Sequence, residues 1–379
     1  MLHRILAAAR LLRPRAIADV HQQVARTDRA LERLRAEVAD LHRALAALPA
    51  QSDAIGRLEH RLAELQESHR RQAADLAAQL GSLARDVSEV RLREAQLRAI
   101  ARRDVELERR LPLLEQVMDE AATGAHVRAR VAATPLQHHP FPYVVIDDLL
   151  PPPLYDALVE AIPPVELFAD RPFNKRQLGV PPKLAPVYSR RVWRFITQRV
   201  APQMIAPAVI DKFRAPLGAW LDAQLMPGAL PILERLEMSC TDGRILLRGR
   251  GYCIPPHRDP KWGFITCIMY LARPGDDASL GTQLYSVDGD GDAADTKPHW
   301  IPADRCRLEA TVEFRPNRAL IFLNSAGAHG ARIPDDAPES LERYLYQFRI
   351  GPGRGQIGEL LAALPPERRA QWEGKVTDY

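Results

Sequence analysis

Pro256-His257-Arg258-Asp259-Pro260 puts an imidazole and a carboxylate two residues apart, between two strand-like runs. In extended backbone, residues i and i+2 project to the same side. His257 and Asp259 can therefore address one metal ion while Arg258 turns away. A third ligand must come from elsewhere in the chain. His329 suits the role because it closes the apolar run ALIFLNSAGAHG, where Gly and Ala permit close backbone approach. Two imidazoles and one carboxylate on one face of an octahedron suit Fe(II) and leave positions open for other ligands.

A lone His-x-Asp is weak evidence, and the order of the surrounding segments strengthens it. Strand-like runs occupy 143–147, 244–252, 264–272, 281–287, 319–325 and 343–351, separated by Pro, Gly and Asp turns. Short strands with such punctuation indicate a sandwich or barrel. An entry helix follows the first run, with Leu154, Leu158 and Ile162 on its apolar face, and further helices are expected near 188–200 and 207–225.

Other constellations carry less. Asp288-Gly-Asp290-Gly-Asp292 begins like a calcium loop, but Ala293 and His299 stand where Gly and Glu are wanted, so a mobile acidic loop is expected. His299 itself sits in a polar, Pro-rich stretch and is a poor rival ligand. Trp193, Phe195 and Trp262 are expected mostly in the core, although Trp262 follows the His-x-Asp closely enough to line a pocket. Cys240, Cys253, Cys267 and Cys306 lack CxxC spacing and are expected as free thiols. GxGxxG, GxxxxGK[ST] and GxSxG are absent, which argues against P-loop and α/β-hydrolase chemistry.

The chain has 379 residues and a formal net charge of +4 with both signs interleaved, and no basic-aromatic array marks a nucleic-acid surface. Its first third is different in kind, rich in Ala, Leu, Arg, Glu and Gln. From Ile17, apolar positions step three and four residues, interrupted only at Thr27: Val20, Val24, then Leu31, Leu34, Val38, Leu41, Leu45, Leu48. Pro49 ends that helix. A second seam runs Ile55, Leu58, Leu62, Leu65 and resumes at Leu76 after a phase shift near 69–73, with Pro112 as a kink. The heptad pattern predicts a coiled coil over 17–122 and self-association through it, with a hairpin as the alternative. Residues 1–16 form a basic amphipathic lead-in, able to lie peripherally on an anionic membrane but too short and charged to span it. The expected location is cytoplasmic. A linker is expected over 123–140, a folded domain over 141–352 and a helical tail over 353–379.

Residues from about 141 to 351 resemble the Fe(II)/2-oxoglutarate-dependent dioxygenase superfamily in its prolyl-4-hydroxylase-like branch. The matching stretches are FPYVVIDDLLPPPLYDAL, PPHRDP, GTQLYS, NRALIFLNSAGAHGARIP and ERYLYQFRI. The resemblance covers just over half the chain and does not reach the coiled coil. It implies an α+β protein whose C-terminal domain is a double-stranded β-helix (jelly roll) with flanking helices. His257, Asp259 and His329 match the family's iron ligands. Arg343 matches the residue that holds the distal carboxylate of 2-oxoglutarate, a task suited to a planar, permanently charged guanidinium.

Arg349 lies on the same strand face and is the reserve candidate, with a surface salt bridge as its alternative role. Two departures stand out. The spacing from His329 to Arg343 is long, and Ile254 occupies the position of the family's usual tyrosine, with Tyr252 nearby. Tyr270, Asn324 and Tyr346 are further candidate contacts to 2-oxoglutarate. The implied reaction is hydroxylation of a C–H bond with release of succinate and CO2, using Fe(II) and 2-oxoglutarate with ascorbate as an accessory reductant. The substrate is unread. A coiled-coil scaffold with a binding-only or cupin-like metal domain is the alternative.

Overall fold

The computed structural model describes residues 2–47, 52–171, 175–224, 237–260, 262–289, 299–324 and 326–372. It divides into two compact units, 1–91 and 92–379.

The first unit is helical. Helix α1 spans Leu2–Ala47, and α2 spans Ser52–Leu107. Seam residues such as Val24, Leu34, Val38, Leu41, Leu58 and Leu62 are half-buried, while Leu31, Leu65 and Leu80 are exposed. Among the described residues, the buried apolar positions begin only at Ala99. Among those residues, no helix is long and apolar enough to cross a membrane.

The second unit begins inside the expected coiled-coil span. Leu107 and Leu114 are buried in its core, and Gln96 donates to the Glu166 carbonyl at 2.9 Å. A 3-10 stretch over Glu108–Leu113 carries Pro112. After it come α3 (Leu114–Val117) and α4 (Glu120–Ala133). Helix α4 replaces most of the linker expected over 123–140. Asp119 caps it by accepting from the Ala122 N–H, and Val127 and Val131, four residues apart, are both buried. Only two apolar anchors in an Ala-rich stretch make too short a period to recognise from sequence.

β1 (Tyr143–Ile146) and α5 (Pro152–Glu160) open the sheet domain, followed by β2 (Ala169–Arg171) and β3 (Lys175–Gly179). A helical run then continues through α6 (Val187–Phe195), a π-helical stretch over Ile196–Ile205, and α7 (Ala206–Gln224). The remaining strands are β4 (Met238–Arg248), β5 (Cys253–Arg258), β6 (Ile265–Tyr270), β7 (Thr282–Val287), β8 (His299–Trp300), β9 (Cys306–Val312), β10 (Ala319–Leu323), β11 (Ala328–Arg332) and β12 (Arg343–Pro352).

Seven strands form one sheet in the order β1-β10-β6-β12-β4-β3-β2, and five form the other as β8-β5-β11-β7-β9, with every pairing antiparallel. Alternation splits each strand between two cores. On β12, Leu345 joins Ile268, Tyr270, Leu284 and Phe322 between the sheets. Tyr344, Tyr346 and Phe348 face the other way, into a larger core shared with α5, α6 and α7. The expected C-terminal tail is part of that core: Trp372, in the helix Pro366–Trp372, is fully buried against Trp262 and Trp220.

Candidate metal centre

The second sheet positions the two imidazoles. β5 and β11 pair antiparallel with His329 directly across from His257, and the rings stand 4.2 Å apart between centroids. Asp259 lies just beyond β5, two residues after His257, so strand parity turns it to the same side. Donor atoms of His257, Asp259 and His329 all lie within 4.8 Å of one another, and all three residues are buried.

His329 is placed differently from expectation. It does not end the strand containing ALIFL, because β10 stops at Leu323 and belongs to the other sheet. Gly327, at φ 68°, turns the chain so that β11 starts a separate strand. A side chain there would be strained by that φ and would overlap Phe141 Cδ1 at 2.3 Å. Gly330, next to His329, allows β11 close to β5, since a Cβ would lie 2.9 Å from the Ile254 carbonyl oxygen.

His257 and Asp259 are held by neighbours. His257 Nδ1 donates to the Pro255 carbonyl at 2.9 Å, which leaves Nε2 for a metal. Asp259 is held at both oxygens. Arg349 Nη2 donates to Oδ1 at 2.9 Å, and Thr266 Oγ1 donates to Oδ2 at 2.7 Å. Asn324 Nδ2 donates in turn to Thr266 Oγ1 at 2.9 Å.

Burial lowers the pKa of His257, and burial with the neighbouring His257 brings that of His329 to about 3. Burial opposes charge on Asp259, but Arg349, the two histidines and the Thr266 hydroxyl outweigh it and hold the carboxyl below its usual range. Neutral imidazoles and an ionised carboxylate are the forms that bind a divalent cation.

Arg343 opens β12 on the inner face and is 2% exposed. Its Nε donates to the Leu280 carbonyl, and its guanidinium lies 5.2 Å from the Phe314 ring centroid and 5.9 Å from that of Tyr270. Its Nη2 is buried with no hydrogen-bond partner. Such an orphaned cationic donor is costly unless an anion completes it. The inner face of β12 then runs through Leu345 and Gln347 to Arg349, which pairs across to Thr266 on β6.

Several expectations are corrected. The ion pair that Arg349 makes with Asp259 is a buried one. Tyr346 points out of the intersheet core and packs on Trp193 at 5.2 Å, so it contributes nothing to the inner face. Trp262 lies in the larger core, as expected, 5.0 Å from Trp372. His299 lies in β8 rather than a loop, at the register position opposite Arg258. Residues 290–298 of the acidic loop lie outside the described residues. Tyr270 remains beside Arg343, and Asn324 acts one step back, through Thr266. All four cysteines are free thiols.

Thr266 and the Arg349 pairing were missed from sequence. Both had a signal: each is a polar or charged residue on the inner face of an otherwise apolar strand.

No protein-family profile matches the chain, and no curated protein matches it. Among solved structures, a prolyl-4-hydroxylase from Pseudomonas putida aligns over 60% of this chain and 99% of its own at 16% identity, with a TM-score of 0.31. HygX from Streptomyces hygroscopicus, solved with nickel, 2-oxoglutarate and hygromycin B bound, aligns over 56% of this chain and 83% of its own at 14% identity and a TM-score of 0.34. An oxidoreductase of the 2OG-Fe(II) oxygenase family from Burkholderia pseudomallei covers 60% and 77% at 12% identity and a TM-score of 0.26. Likenesses this distant do not carry an activity or a substrate over to this chain.

Proposed function

We propose that residues 141–352 form an Fe(II)- and 2-oxoglutarate-dependent oxygenase domain that hydroxylates a C–H bond of its substrate. The observation that carries this reading is the meeting of His257, Asp259 and His329 from distant segments. Their two neutral imidazoles and one carboxylate match the donor set of a non-haem Fe(II) site. When bound, iron and 2-oxoglutarate supply the oxidising chemistry, with succinate and CO2 as the co-products.

The chain's own residues have narrower tasks. His257 offers Nε2 because Pro255 occupies Nδ1. Thr266 and Arg349 orient Asp259 so that its carboxylate neither rotates nor protonates. Arg343 offers its buried Nη2 to the distal carboxylate of 2-oxoglutarate, with the Tyr270 ring beside it. The apolar residues between the sheets limit water around that guanidinium, which strengthens its hold on an anion.

Full-length protein given Fe(II), ascorbate and 2-oxoglutarate should release succinate, and His257→Ala should not. Failure of the wild-type protein to bind 2-oxoglutarate would overturn the reading and favour a binding-only or cupin-like metal domain.

We also infer that the heptad seam associates with another copy. The half-exposed seam within residues 17–91 supports this. The part of the expected 17–122 span beyond residue 91 is used by the second unit's own core. Peripheral membrane contact through residues 1–16 belongs to the same proposal.

A further inference from the structure

One row of side chains crosses the inner face of the five-stranded sheet. Trp300 on β8 stands directly opposite His257 on β5, His257 opposite His329 on β11, and His329 opposite Leu284 on β7. Direct partners project to the same face, and Leu284 belongs to the intersheet core. His257, His329 and Leu284 are at most 6% exposed, yet Trp300, on the edge strand, is 54% exposed. Its ring centroid lies 5.3 Å from that of His257, with the planes tilted by 42°. The sandwich therefore opens one strand beyond the metal centre, and an indole stands in the opening. The other four tryptophans are at most 9% exposed, so exposure sets this indole apart.

The facing sheet is polar beside the metal centre. Tyr252, which leads into β5, lies 5.0 Å from the Arg248 guanidinium on β4, so β4 and β5 face one another across the interior. Gln347 on β12 borders the metal centre, with its Nε2 3.5 Å from Asp259 Oδ2. Arg244 on β4 is its direct partner, and Gly179 on β3 is the partner of Arg244. Gln177, two residues before Gly179, shares that face. Leu345 and Leu246, of the same parity on β12 and β4, lie in the intersheet core, which fixes the face as the inner one. Gln177, Arg244 and Gln347 are nonetheless only half-buried, and a Cβ at Gly179 would meet nothing within 4 Å. Open space therefore adjoins the metal centre, with an indole on one sheet and two carboxamides and a guanidinium on the other.

An exposed indole gains by covering an apolar face. A carboxamide both donates and accepts, and it loses its hydrogen bonds with water when an apolar ligand covers it. A wholly apolar substrate would suit Trp300 and strand the carboxamides. A compact polar ion would suit the carboxamides and leave the indole in water. A pyranose ring meets both demands, because one face presents aliphatic C–H groups while hydroxyls on the rim donate and accept.

We propose that Trp300 is the specificity-determining platform for the primary substrate, and that this substrate presents a pyranose ring. The C–H face of the ring lies on the indole, and its hydroxyls reach Gln177 and Gln347. Stacking there sets ring C–H bonds beside the metal centre. The oxidation of those bonds rests on the oxygenase reading, whereas the ring site itself does not.

The test uses the full chain loaded with redox-silent Zn(II) and 2-oxoglutarate, read by acrylamide quenching of tryptophan fluorescence. Trp300→Phe should remove most of the quenchable emission, because the remaining indoles are buried. The methyl pyranosides of glucose, galactose, mannose and rhamnose are then titrated into wild-type protein. At least one should shield Trp300, with a Kd on the order of millimolar for so small a probe. By calorimetry, Trp300→Ala and Gln177→Leu should each weaken that glycoside, the first about tenfold or more. Trp300→Phe, which keeps an aromatic face, should retain most of the affinity. The Kd values for Zn(II) and 2-oxoglutarate should move less than about threefold in all three variants. Trp300 is exposed and Gln177 half-buried, so these substitutions leave the core intact.

The proposal is overturned if no glycoside shields Trp300, or if the glycoside binds Trp300→Ala as tightly as wild type. It is also overturned if benzyl alcohol or N-acetylprolinamide shields the indole at a lower concentration than every glycoside, since the platform would then serve an aromatic group or a peptide. Protein that binds a glycoside through Trp300 but does not bind 2-oxoglutarate would sink the oxygenase reading and leave the sugar site standing. Protein that releases succinate but binds no glycoside would do the reverse.

Discussion

Arg349 Nη2 lies 2.9 Å from Asp259 Oδ1, so the carboxylate that completes the metal triad already has a buried cationic partner. Without a metal, this pair is the largest influence that keeps Asp259 charged, ahead of the two histidines and the Thr266 hydroxyl. Breaking a buried pair by removing one partner typically costs about 3–5 kcal/mol, because the other charge is left uncompensated. Arg349→Gln should therefore lower the melting temperature of metal-free protein sharply. Added Zn(II) supplies the missing positive charge, so it should restore more stability to the variant than to the wild type. An equal loss with and without metal would reduce Arg349 to a packing role.

Gly263 makes room for that arginine. A Cβ at this position would lie 2.3 Å from Arg349 Cδ and 2.9 Å from its Cβ. The nearer atom is midway along the side chain, and the farther one is fixed by the backbone of β12, so the clash cannot be relieved by swinging the guanidinium alone. Gly263→Ala should reproduce much of the Arg349→Gln loss in metal-free protein. A variant as stable as wild type, with unchanged metal affinity, would show that β12 can shift to accommodate the methyl group.

The site was legible where strand parity governs it and obscure where long-range register does. His257 and Asp259 follow from alternation in one segment, and their projection to one side is what the structure has. His329 was found for a partly wrong reason: its sheet changes at Gly327, and one positive-φ residue in a run of small residues does not reveal which sheet the next strand joins. Arg349 has the parity of Arg343, but its partner Asp259 is ninety positions away along the chain. Such pairing depends on β6 lying between β10 and β12, which no local pattern encodes. The same limit hid the role of α4 and of Trp372, whose burial depends on what packs over the seven-stranded sheet.

Thr266 supplies the second hold on Asp259, at Oδ2, and is itself fully buried and supported by Asn324. Thr266→Val keeps the shape and removes the donor. A hydrogen bond to a charged group contributes about 1.5–3 kcal/mol, so metal affinity should fall by roughly tenfold to a hundredfold. The effect should appear in a Zn(II) competition titration and, by linkage, as a lower melting temperature of the metal-loaded protein. Unchanged affinity would mean that Arg349 alone orients the carboxylate.

Seam substitutions test self-association directly. Leu34 and Leu41 are half-buried on α1, seven residues apart on the same heptad stripe. Replacing both with Asp puts two charges into that stripe without touching the second unit. The full-length variant should sediment as a monomer where the wild type is larger, with the domain's melting transition unchanged. A wild type that is already monomeric at micromolar concentration would remove the proposal.

His329 makes the metal-free protein sensitive to acid. Burial, with His257 adding to it, depresses its pKa from 6.5 to about 3. Between those values the unfolded chain binds a proton that the folded chain refuses, so stability rises with pH across this window. The contribution is fully present above pH 6.5 and is lost as pH falls towards 3. Its size is on the order of a few kcal/mol. Melting temperatures of metal-free protein should fall between pH 7 and pH 5, where most carboxylates are still ionised, and His329→Asn should flatten that slope. Zn(II) should flatten it too, since a metal-bound imidazole stays unprotonated until the metal leaves. A wild-type profile level from pH 7 to 5 would mean that the buried imidazole finds a proton-accepting neighbour in the folded state after all.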